Sequence, residues 1–296
     1  MWRTGSTALA RRFLDNPRYL VFYEPFHEAC GSLDYICWQH ENQTSASKDL
    51  SHPDWIGGYF DNFLLVDPLT EQPLYQLYDS SSALQTVYHD SPSDKTLRYI
   101  EACKRVATAQ GRHAFFGFCR SGLQQRVLLA TGADRSFYLE REPRSQFLSY
   151  NFPNNRYFLP GTLLQLARAP QLQTTLNRLV RRTPNRLAVT LTDKLQGLSV
   201  FQGYRWARKM ALGLDLADAY RIFYLSHTLT KRPACQTGVP CHSIDSLCST
   251  DRTEFEGRFG VSLEGLHPNT RAVPDTAIFT KVEAEVRAVL DAELGS

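Results

Sequence analysis

Short apolar runs alternate with helix-like segments in the first half of the chain, and this alternation constrains the fold most. Residues 6–14 have the pattern of a short helix, and residues 19–23 (YLVFY) form an apolar run of strand length. Similar strand-length runs stand at residues 114–119 (AFFGFC) and 136–140 (SFYLE), and helix patterns follow them. Because strands that alternate with helices form parallel sheets covered by helices, we predict an α/β fold.

The rest of the sequence predicts a helical second half and no second domain. Residues 41–92 are polar, with little periodicity, and predict a long irregular insertion with local order around Trp55 to Leu65. Residues 161–296 have a mostly helical pattern, apart from the Pro- and Cys-rich residues 231–249, which predict irregular structure. No repeat or low-complexity linker divides the chain, so we expect residues 1–296 to form a single domain.

Composition and charge exclude few classes of protein, but they limit the kinds of ligand and the cellular location that we expect. The formal net charge of +3 is too small to imply a nucleic-acid partner, although it suits a small anionic ligand. No apolar run reaches the length of about 18 residues that spans a membrane, and the first residues lack the apolar centre of a signal peptide. We therefore expect a cytoplasmic protein without a membrane span, whose seven cysteines are free thiols.

A basic residue, a glycine and hydroxyl residues open the first predicted helix. They are Arg3, Thr4, Gly5, Ser6 and Thr7. Glycine lets the backbone approach a ligand closely, and the free N–H groups at a helix start favour an anion. Arg3 adds a positive charge, so this segment is a candidate phosphate-binding loop. It differs from the common nucleotide-binding loop, which ends in Gly-Lys followed by Ser or Thr.

Arg141 and Ser149 form a second candidate anion site. Arg141 follows the predicted strand at residues 136–140, and Ser149 lies two turns into the helix predicted for residues 143–150. Ligands of open α/β sheets bind at the carboxyl ends of the strands, where Arg141 stands. An arginine and a serine placed there can bind one phosphate group by charge-assisted hydrogen bonds.

Together these two segments resemble the cofactor-binding motifs of sulfotransferases that use 3′-phosphoadenosine 5′-phosphosulfate (PAPS). The segment from Arg3 to Thr7 is similar to the loop that binds 5′-phosphosulfate in that family. Arg141, followed by Glu-Pro and, eight residues on, by Ser149, is similar to the family's 3′-phosphate motif. The Asn-Pro turn, the apolar run and the Glu-Pro pair of residues 16–25 resemble those of Golgi carbohydrate sulfotransferases and related bacterial proteins.

This resemblance implies a P-loop-type parallel sheet flanked by helices and PAPS as cofactor, with no metal. It implies that Glu24 is the catalytic base, which takes a proton from the acceptor hydroxyl during in-line sulfuryl transfer. His27 is the alternative base, since many cytosolic sulfotransferases use a histidine. The family places a buried strand directly before its phosphosulfate loop, whereas Met1 and Trp2 are all that precede Arg3, so we expect this first strand to be missing.

Three functions stay open on the sequence alone. The resemblance, which covers residues 1–30 and 113–150, favours a sulfotransferase with a small-molecule or carbohydrate acceptor. A small-molecule kinase and a non-catalytic binding protein on the same fold are the alternatives. Two loose groups of Cys and His lie within residues 27–40 and 235–248. We do not assign them as zinc sites, because neither has a usual zinc-site spacing. The sequence names neither the acceptor nor the oligomeric state.

Overall fold

The computed structural model describes most of the chain, and its contacts group the residues into two compact units. The first unit consists of residues 1–83, 90–140 and 239–269, and the second of residues 84–89, 141–238 and 270–296. The single domain expected from the sequence therefore stays a prediction. The described residues are 6–50, 58–78, 93–119, 129, 132, 135–150, 158–169, 172–180, 200–267 and 277–294.

Four short strands form two parallel pairs. β1 (Tyr19–Tyr23) pairs with β2 (His113–Gly117), and β3 (Tyr138–Glu140) pairs with β4 (Cys241–Ser243). In register, the first residue of β1 lies opposite the first residue of β2, and the same holds for β3 and β4. The α/β class and the parallel pairing are confirmed, although each described sheet has two strands.

Helices make up most of the remaining described residues, and two 3₁₀ helices, Glu28–Gly31 and Asp61–Leu64, accompany them. Within the described ranges, no helix is long and apolar enough to cross a membrane. In chain order the helices are α1 (Ser6–Leu14), α2 (Leu33–Leu50), α3 (Leu74–Leu77), α4 (Asp94–Ala109), α5 (Pro143–Tyr150), α6 (Phe158–Arg168), α7 (Gln173–Val180), α8 (Val200–Leu212), α9 (Leu216–Gln236), α10 (Ile244–Leu247), α11 (Arg252–Phe259) and α12 (Ala277–Leu294).

α1 and β1 form where the sequence pattern places them, because α1 buries one face against the first sheet. Leu9, Ala10 and Phe13 lie on that face and are buried. The ring of Phe13 stacks on the ring of Phe115 in β2, with 3.9 Å between the centroids. β1 is buried over all but its first residue, as expected for a continuous apolar run covered on both faces.

The opposite face of the same sheet packs on α4. Leu20 and Phe22 of β1 share a buried cluster with Tyr99 and Val106, which recur at helical spacing along α4. Ser93 caps the start of this helix, because its side-chain oxygen accepts a hydrogen bond from a backbone N–H of the first turn. The sheet is therefore covered by α1 on one side and by α4 on the other.

Residues 41–92 are more regular than the sequence predicts. α2 continues to Leu50 and α3 forms later in the segment, so the prediction of irregular structure is wrong for these parts. The 3₁₀ helix Asp61–Leu64 lies where the sequence predicts local order. Apolar residues in α2 form no strong stripe, which explains why the pattern gives no helix there. Buried Asp67 ties residues 58–78 to α4, because it accepts two hydrogen bonds of 2.8 Å from the guanidinium of Arg105.

The second unit contains an aromatic core and an ion pair between Arg144 and buried Glu283. Phe147 of α5 packs on Tyr220 of α9, with ring centroids 4.9 Å apart, and Phe279 of α12 lies against both rings. Buried Glu283 of α12 accepts hydrogen bonds of 2.8 Å from Arg144 Nε and from Tyr220 Oη. These contacts fix α5, the helix that carries Ser149, against α9 and α12.

Candidate active site

The first turn of α1 is anchored at the carboxyl ends of β1 and β2. Ser6 Oγ and Thr7 Oγ1 each lie 2.9 Å from the hydroxyl of Tyr23, the last residue of β1. Ser6 Oγ also lies 3.2 Å from the thiol of Cys119, two residues beyond β2. Both predicted hydroxyl ligands are thus engaged inside the fold. The other predicted loop residues, Arg3, Thr4 and Gly5, lie outside the described residues.

Glu24 leaves β1 in a left-handed backbone conformation, with a φ of 50°. Its N–H donates to the carbonyl of Gly117 (2.8 Å), and its own carbonyl accepts from the N–H of His27 (2.8 Å). A left-handed backbone is uncommon for a residue with a Cβ, and such strain concentrates at functional sites. The Glu24 side chain at this turn is half-buried.

A cluster of hydroxyl and thiol groups lies at the start of α1 and includes Tyr23, the residue directly before Glu24. It comprises Tyr23, Tyr59, Cys119 and Thr7, and Tyr59 Oη donates to Thr7 Oγ1 (3.5 Å). Burial raises the pKa of both tyrosines, and the nearby negative charge of Glu24 raises it further. Burial, with the same charge, raises the pKa of the Cys119 thiol to about 11. The tyrosine hydroxyls and the thiol of this cluster therefore stay protonated at neutral pH.

His27, the alternative base, belongs to the core of the first unit. Its side chain is buried, and its ring lies 5.0 Å from the ring of Phe60 and 6.1 Å from that of Tyr35. Its carbonyl accepts from the N–H of Cys30, which closes the turn after Glu24. Packing among aromatic rings gives His27 a structural role that the sequence pattern does not separate from a catalytic one.

Arg141 stands directly after β3, as the sequence predicts, and reaches α5. Its Nε and Nη2 donate to Ser145 Oγ at 3.1 and 2.9 Å. Ser149 is buried and lies four residues after Ser145, which places both serines on one face of α5. The guanidinium and the two hydroxyl groups therefore belong to one side of this helix, although the sequence indicates Ser149 and not Ser145.

A carboxylate already satisfies the backbone at the start of α5. Glu142 accepts hydrogen bonds from the N–H of Arg144 (3.0 Å) and the N–H of Ser145 (2.6 Å). Because a negative side chain occupies the positive end of the helix dipole, the backbone there gives little help to a bound anion. A phosphate near Arg141 would have to be bound by side chains.

Three residues of this site give no clear signal in the sequence. Tyr59 lies in the segment that the pattern leaves unassigned, and Cys119 has no motif around it. The only sequence signal for Ser145 is that it follows Arg141 by four residues at the start of a helix, a spacing at which side chains can contact each other. No described group of three or more His, Cys, Asp and Glu side chains is placed to hold a metal ion.

One histidine of each loose Cys and His group lies beside a carboxylate. His40 lies 3.0 Å from a carboxylate oxygen of Asp61, and His242 lies 2.8 Å from one of Asp251.

Comparison of the chain with protein-family models, with curated proteins and with solved structures finds no match. Its function is therefore inferred from the geometry of its own side chains.

Proposed function

We propose that this chain is a PAPS-dependent sulfotransferase that transfers a sulfuryl group to an acceptor hydroxyl, on a P-loop-type parallel sheet. One observation carries the proposal. Tyr23, the residue directly before Glu24, holds the first turn of α1, because its hydroxyl lies 2.9 Å from Ser6 Oγ and from Thr7 Oγ1. The residue expected to be the base and the helix start expected to bind phosphosulfate thus share one cluster at the carboxyl ends of β1 and β2.

The start of α1 would bind the sulfuryl and 5′-phosphate groups through its backbone. Free N–H groups at a helix N-terminus favour an anion, and the hydroxyls of Ser6 and Thr7 are engaged with Tyr23. We therefore assign Ser6 and Thr7 mainly a positioning role, in which they hold the helix start at the sheet. Arg3, Thr4 and Gly5 complete the proposed loop, and Arg3 would offset the negative charge of the leaving phosphate.

Glu24 would act as the base. As the acceptor oxygen bonds to sulfur, the bond from sulfur to the phosphate oxygen breaks, and the acceptor proton passes to the Glu24 carboxylate. The half-buried position of Glu24 leaves it open to an acceptor, whereas His27 is buried among aromatic rings. This difference favours Glu24 over His27 in the proposal.

Arg141 and Ser149 would bind the 3′-phosphate of the cofactor, with Ser145 as a further ligand. The arginine donates to Ser145 from two of its nitrogens, so its guanidinium is held in a fixed direction beside α5. Charge-assisted hydrogen bonds from arginine are among the stronger ones in proteins. The identity of the acceptor is left to a screen of small-molecule and carbohydrate hydroxyl compounds.

The direct test is PAPS turnover with such an acceptor panel, measured as release of 3′-phosphoadenosine 5′-phosphate without Mg²⁺. Glu24→Gln should lower turnover by about 10²- to 10⁴-fold, because it keeps the shape of the side chain and removes the base. His27→Gln should retain the chemistry if the variant is folded. Unchanged turnover in Glu24→Gln would refute the assignment of the base. If no acceptor is turned over, calorimetric binding of 3′-phosphoadenosine 5′-phosphate decides whether the chain has a cofactor site.

A further inference from the structure

A cavity of about 1000 Å³ lies inside the first unit and follows β2 along its length. All five residues of β2 line it, and so do residues 136–139 at β3. At about 3.3 Å for each residue, a five-residue strand is about 16 Å long. The cavity therefore extends for about that length, and its volume is within the range of about 300–1,000 Å³ that is typical of pockets for small organic molecules.

The walls of this cavity are mainly aromatic. Two of the phenylalanines that line it are buried and the others are half-buried, and the six are Phe13, Phe115, Phe116, Phe118, Phe137 and Phe259. They also contact one another, since the ring of Phe137 lies 5.3 Å from that of Phe259 and 6.5 Å from that of Phe13. Because transfer of apolar surface from water to such walls is favourable, they favour a ligand with an apolar body.

Basic residues line the same cavity, whereas none of the described residues that line it is acidic. The whole chain has 33 basic and 30 acidic residues, so this excess is a local property of the cavity. The basic set is Arg18, Lys104, Arg112, Arg135 and Arg258. Lys104 forms an ion pair of 2.7 Å with Glu101. The four arginines form no ion pair with any acidic side chain of the described residues, so their charge is available to a ligand.

The arginines stand at the end of the cavity where β1 and β2 begin. Arg18 directly precedes β1 and Arg112 directly precedes β2, and these two strands start in register. Arg18 Nη2 donates to the carbonyl of Gly260 (2.6 Å), which also lines the cavity. Two residues before Gly260, the guanidinium of Arg258 lies 5.6 Å from the centre of the Phe259 ring. We call this part of the cavity the cationic end.

Arg135 belongs to the cationic end as well, because it lies two residues before Phe137, whose ring contacts that of Phe259. The side chains of Arg18, Arg112 and Arg135 are exposed, so a ligand can reach them from solvent. Charges of one sign beside apolar walls concentrate the electric field and attract a counter-ion. The cationic end therefore favours an anion, whereas the aromatic walls favour an apolar body.

The cationic end is separate from the candidate active site. Arg18 precedes β1, whereas Glu24 follows it, and Ser6 and Tyr23 line the cavity at its other end. The five residues of β1 separate the two ends by about 16 Å. An anion at the cationic end is thus bound by other residues than those at the start of α1.

We propose that this cavity binds an amphipathic anion of the medium-chain fatty-acid type. Its carboxylate head group lies among the four arginines, which offer charge-assisted hydrogen bonds, and its unbranched tail lies along the phenylalanines. Each CH₂ group of the tail that is buried raises the affinity about fourfold. This binding site is independent of the proposed sulfuryl transfer.

The test is calorimetric titration of the full chain with decanoate, without any cofactor. We expect saturable binding of one decanoate per chain. Octanoate, which is shorter by two CH₂ groups, should bind about 15-fold more weakly. Salt should weaken the binding of decanoate, because it screens the exposed arginines, and should leave the binding of 1-decanol, which has the same tail without a charge, unchanged.

Arg112→Gln combined with Arg135→Gln tests the cationic end. Both side chains are exposed, so the double variant should fold like the unaltered chain. It should bind decanoate about tenfold more weakly, or worse, and should bind 1-decanol as before. Arg98→Gln is the matched control, since Arg98 is an exposed residue of α4 that does not line the cavity, and it should leave both affinities unchanged.

Ser136→Trp tests the apolar part of the cavity. Ser136 lines the cavity and is half-buried, and its side chain makes no hydrogen bond among those described. An indole at this position should occupy the space of the tail and weaken the binding of decanoate and of 1-decanol alike, by about tenfold or more. Urea denaturation shows whether this variant is folded, and the arginine double variant tests the proposal if it is not.

Three outcomes would overturn the proposal. The first is no saturable binding of decanoate by the folded chain, and the second is equal binding of decanoate by the arginine double variant. The third is displacement of decanoate by 3′-phosphoadenosine 5′-phosphate, which would place the anion in the proposed cofactor site. Saturable binding of decanoate by a chain that does not bind this nucleotide would support the fatty-acid site and refute the proposed sulfotransferase function.

Discussion

Two glutamates have left-handed backbone conformations, and only one of them lies in the candidate site. Glu24 has a φ of 50° and Glu71 a φ of 57°. A residue with a Cβ is strained there by about 1–2 kcal/mol, whereas glycine is not. Glycine at such a position would relieve the strain. A glutamate there therefore suggests that its side chain has a functional role.

Glu24→Gly and Glu71→Gly test that interpretation as a matched pair. Each should raise the free energy of unfolding by about 0.5–1 kcal/mol, because the strain is relieved and the greater freedom of glycine offsets part of the gain. Only Glu24→Gly should abolish turnover of PAPS. Urea denaturation and the turnover assay measure both effects, and equal loss of turnover in the two variants would contradict a specific role for Glu24.

Asp67 should make the stability of the first unit depend on pH. Hydrogen bonds from Arg105 lower its pKa from the ordinary value of 3.8 to about 2, so its stabilising effect is present above pH 4 and is lost as pH falls towards 2. One pKa unit corresponds to about 1.4 kcal/mol, so Asp67→Asn should cost about 2 kcal/mol near pH 7 and about half of that near pH 3. Urea denaturation at both pH values measures the difference.

The exposed Asp291 is the control for Asp67. Asp291→Asn should change the free energy of unfolding by less than about 0.5 kcal/mol at either pH. A cost of Asp67→Asn that stays constant between pH 7 and pH 3 would show that Arg105 does not hold the carboxylate in its charged form.

At the scale of elements, single side chains hold the helix starts that the proposed function needs. Tyr23 Oη contacts Ser6, Thr7 and Cys119, so one hydroxyl joins α1 to the ends of β1 and β2. Tyr23→Phe should lower the free energy of unfolding by about 1–3 kcal/mol, because buried partners lose their hydrogen bond. It should also weaken binding of 3′-phosphoadenosine 5′-phosphate, measured by calorimetry, by loosening the start of α1.

Tyr75→Phe is the matched control for Tyr23, since the hydroxyl of Tyr75 accepts only an exposed hydrogen bond from Gln76 among the bonds described. It should leave both stability and binding within error. Equal binding by Tyr23→Phe and the unaltered chain would show that the α1 start does not depend on this hydroxyl.

Glu283 has the corresponding role in the second unit. Burial alone would raise the pKa of Glu283, but hydrogen bonds from Arg144 and Tyr220 outweigh it and lower the pKa. Glu283→Gln leaves the Arg144 charge without its partner and should cost about 2–4 kcal/mol in chemical denaturation. Exposed Glu264→Gln should cost almost nothing, and a similarly small cost for Glu283→Gln would show that the ion pair does not fix α5.

The strands and helices that the sequence predicts best are those with a strong local pattern. β1 and α1 have the predicted bounds because an apolar run and an amphipathic stripe define them. β4 lies within residues 231–249, which the sequence leaves irregular, because its three residues are ordered by pairing with β3 and not by their own preference. α2 has no strong apolar stripe, so the periodicity of its sequence does not predict a helix either.

At the scale of the whole molecule, the sequence predicts the class of fold and the positions of Glu24, Arg141 and Ser149 relative to their strands and helices. It does not predict the cluster of Tyr23, Tyr59 and Cys119, because these residues meet only through tertiary packing. The pairing of strands across the chain is likewise a long-range property that local patterns do not contain.

Calorimetric titration with 3′-phosphoadenosine 5′-phosphate in the absence of Mg²⁺ tests the central claim most directly. The account predicts micromolar binding by the unaltered chain, binding about 10- to 100-fold weaker in Arg141→Ala, and unchanged binding in the exposed control Arg208→Ala. Absence of binding by the folded chain, or equal binding by Arg141→Ala, would contradict the proposed cofactor site, and binding of ATP that requires Mg²⁺ would point to a kinase instead.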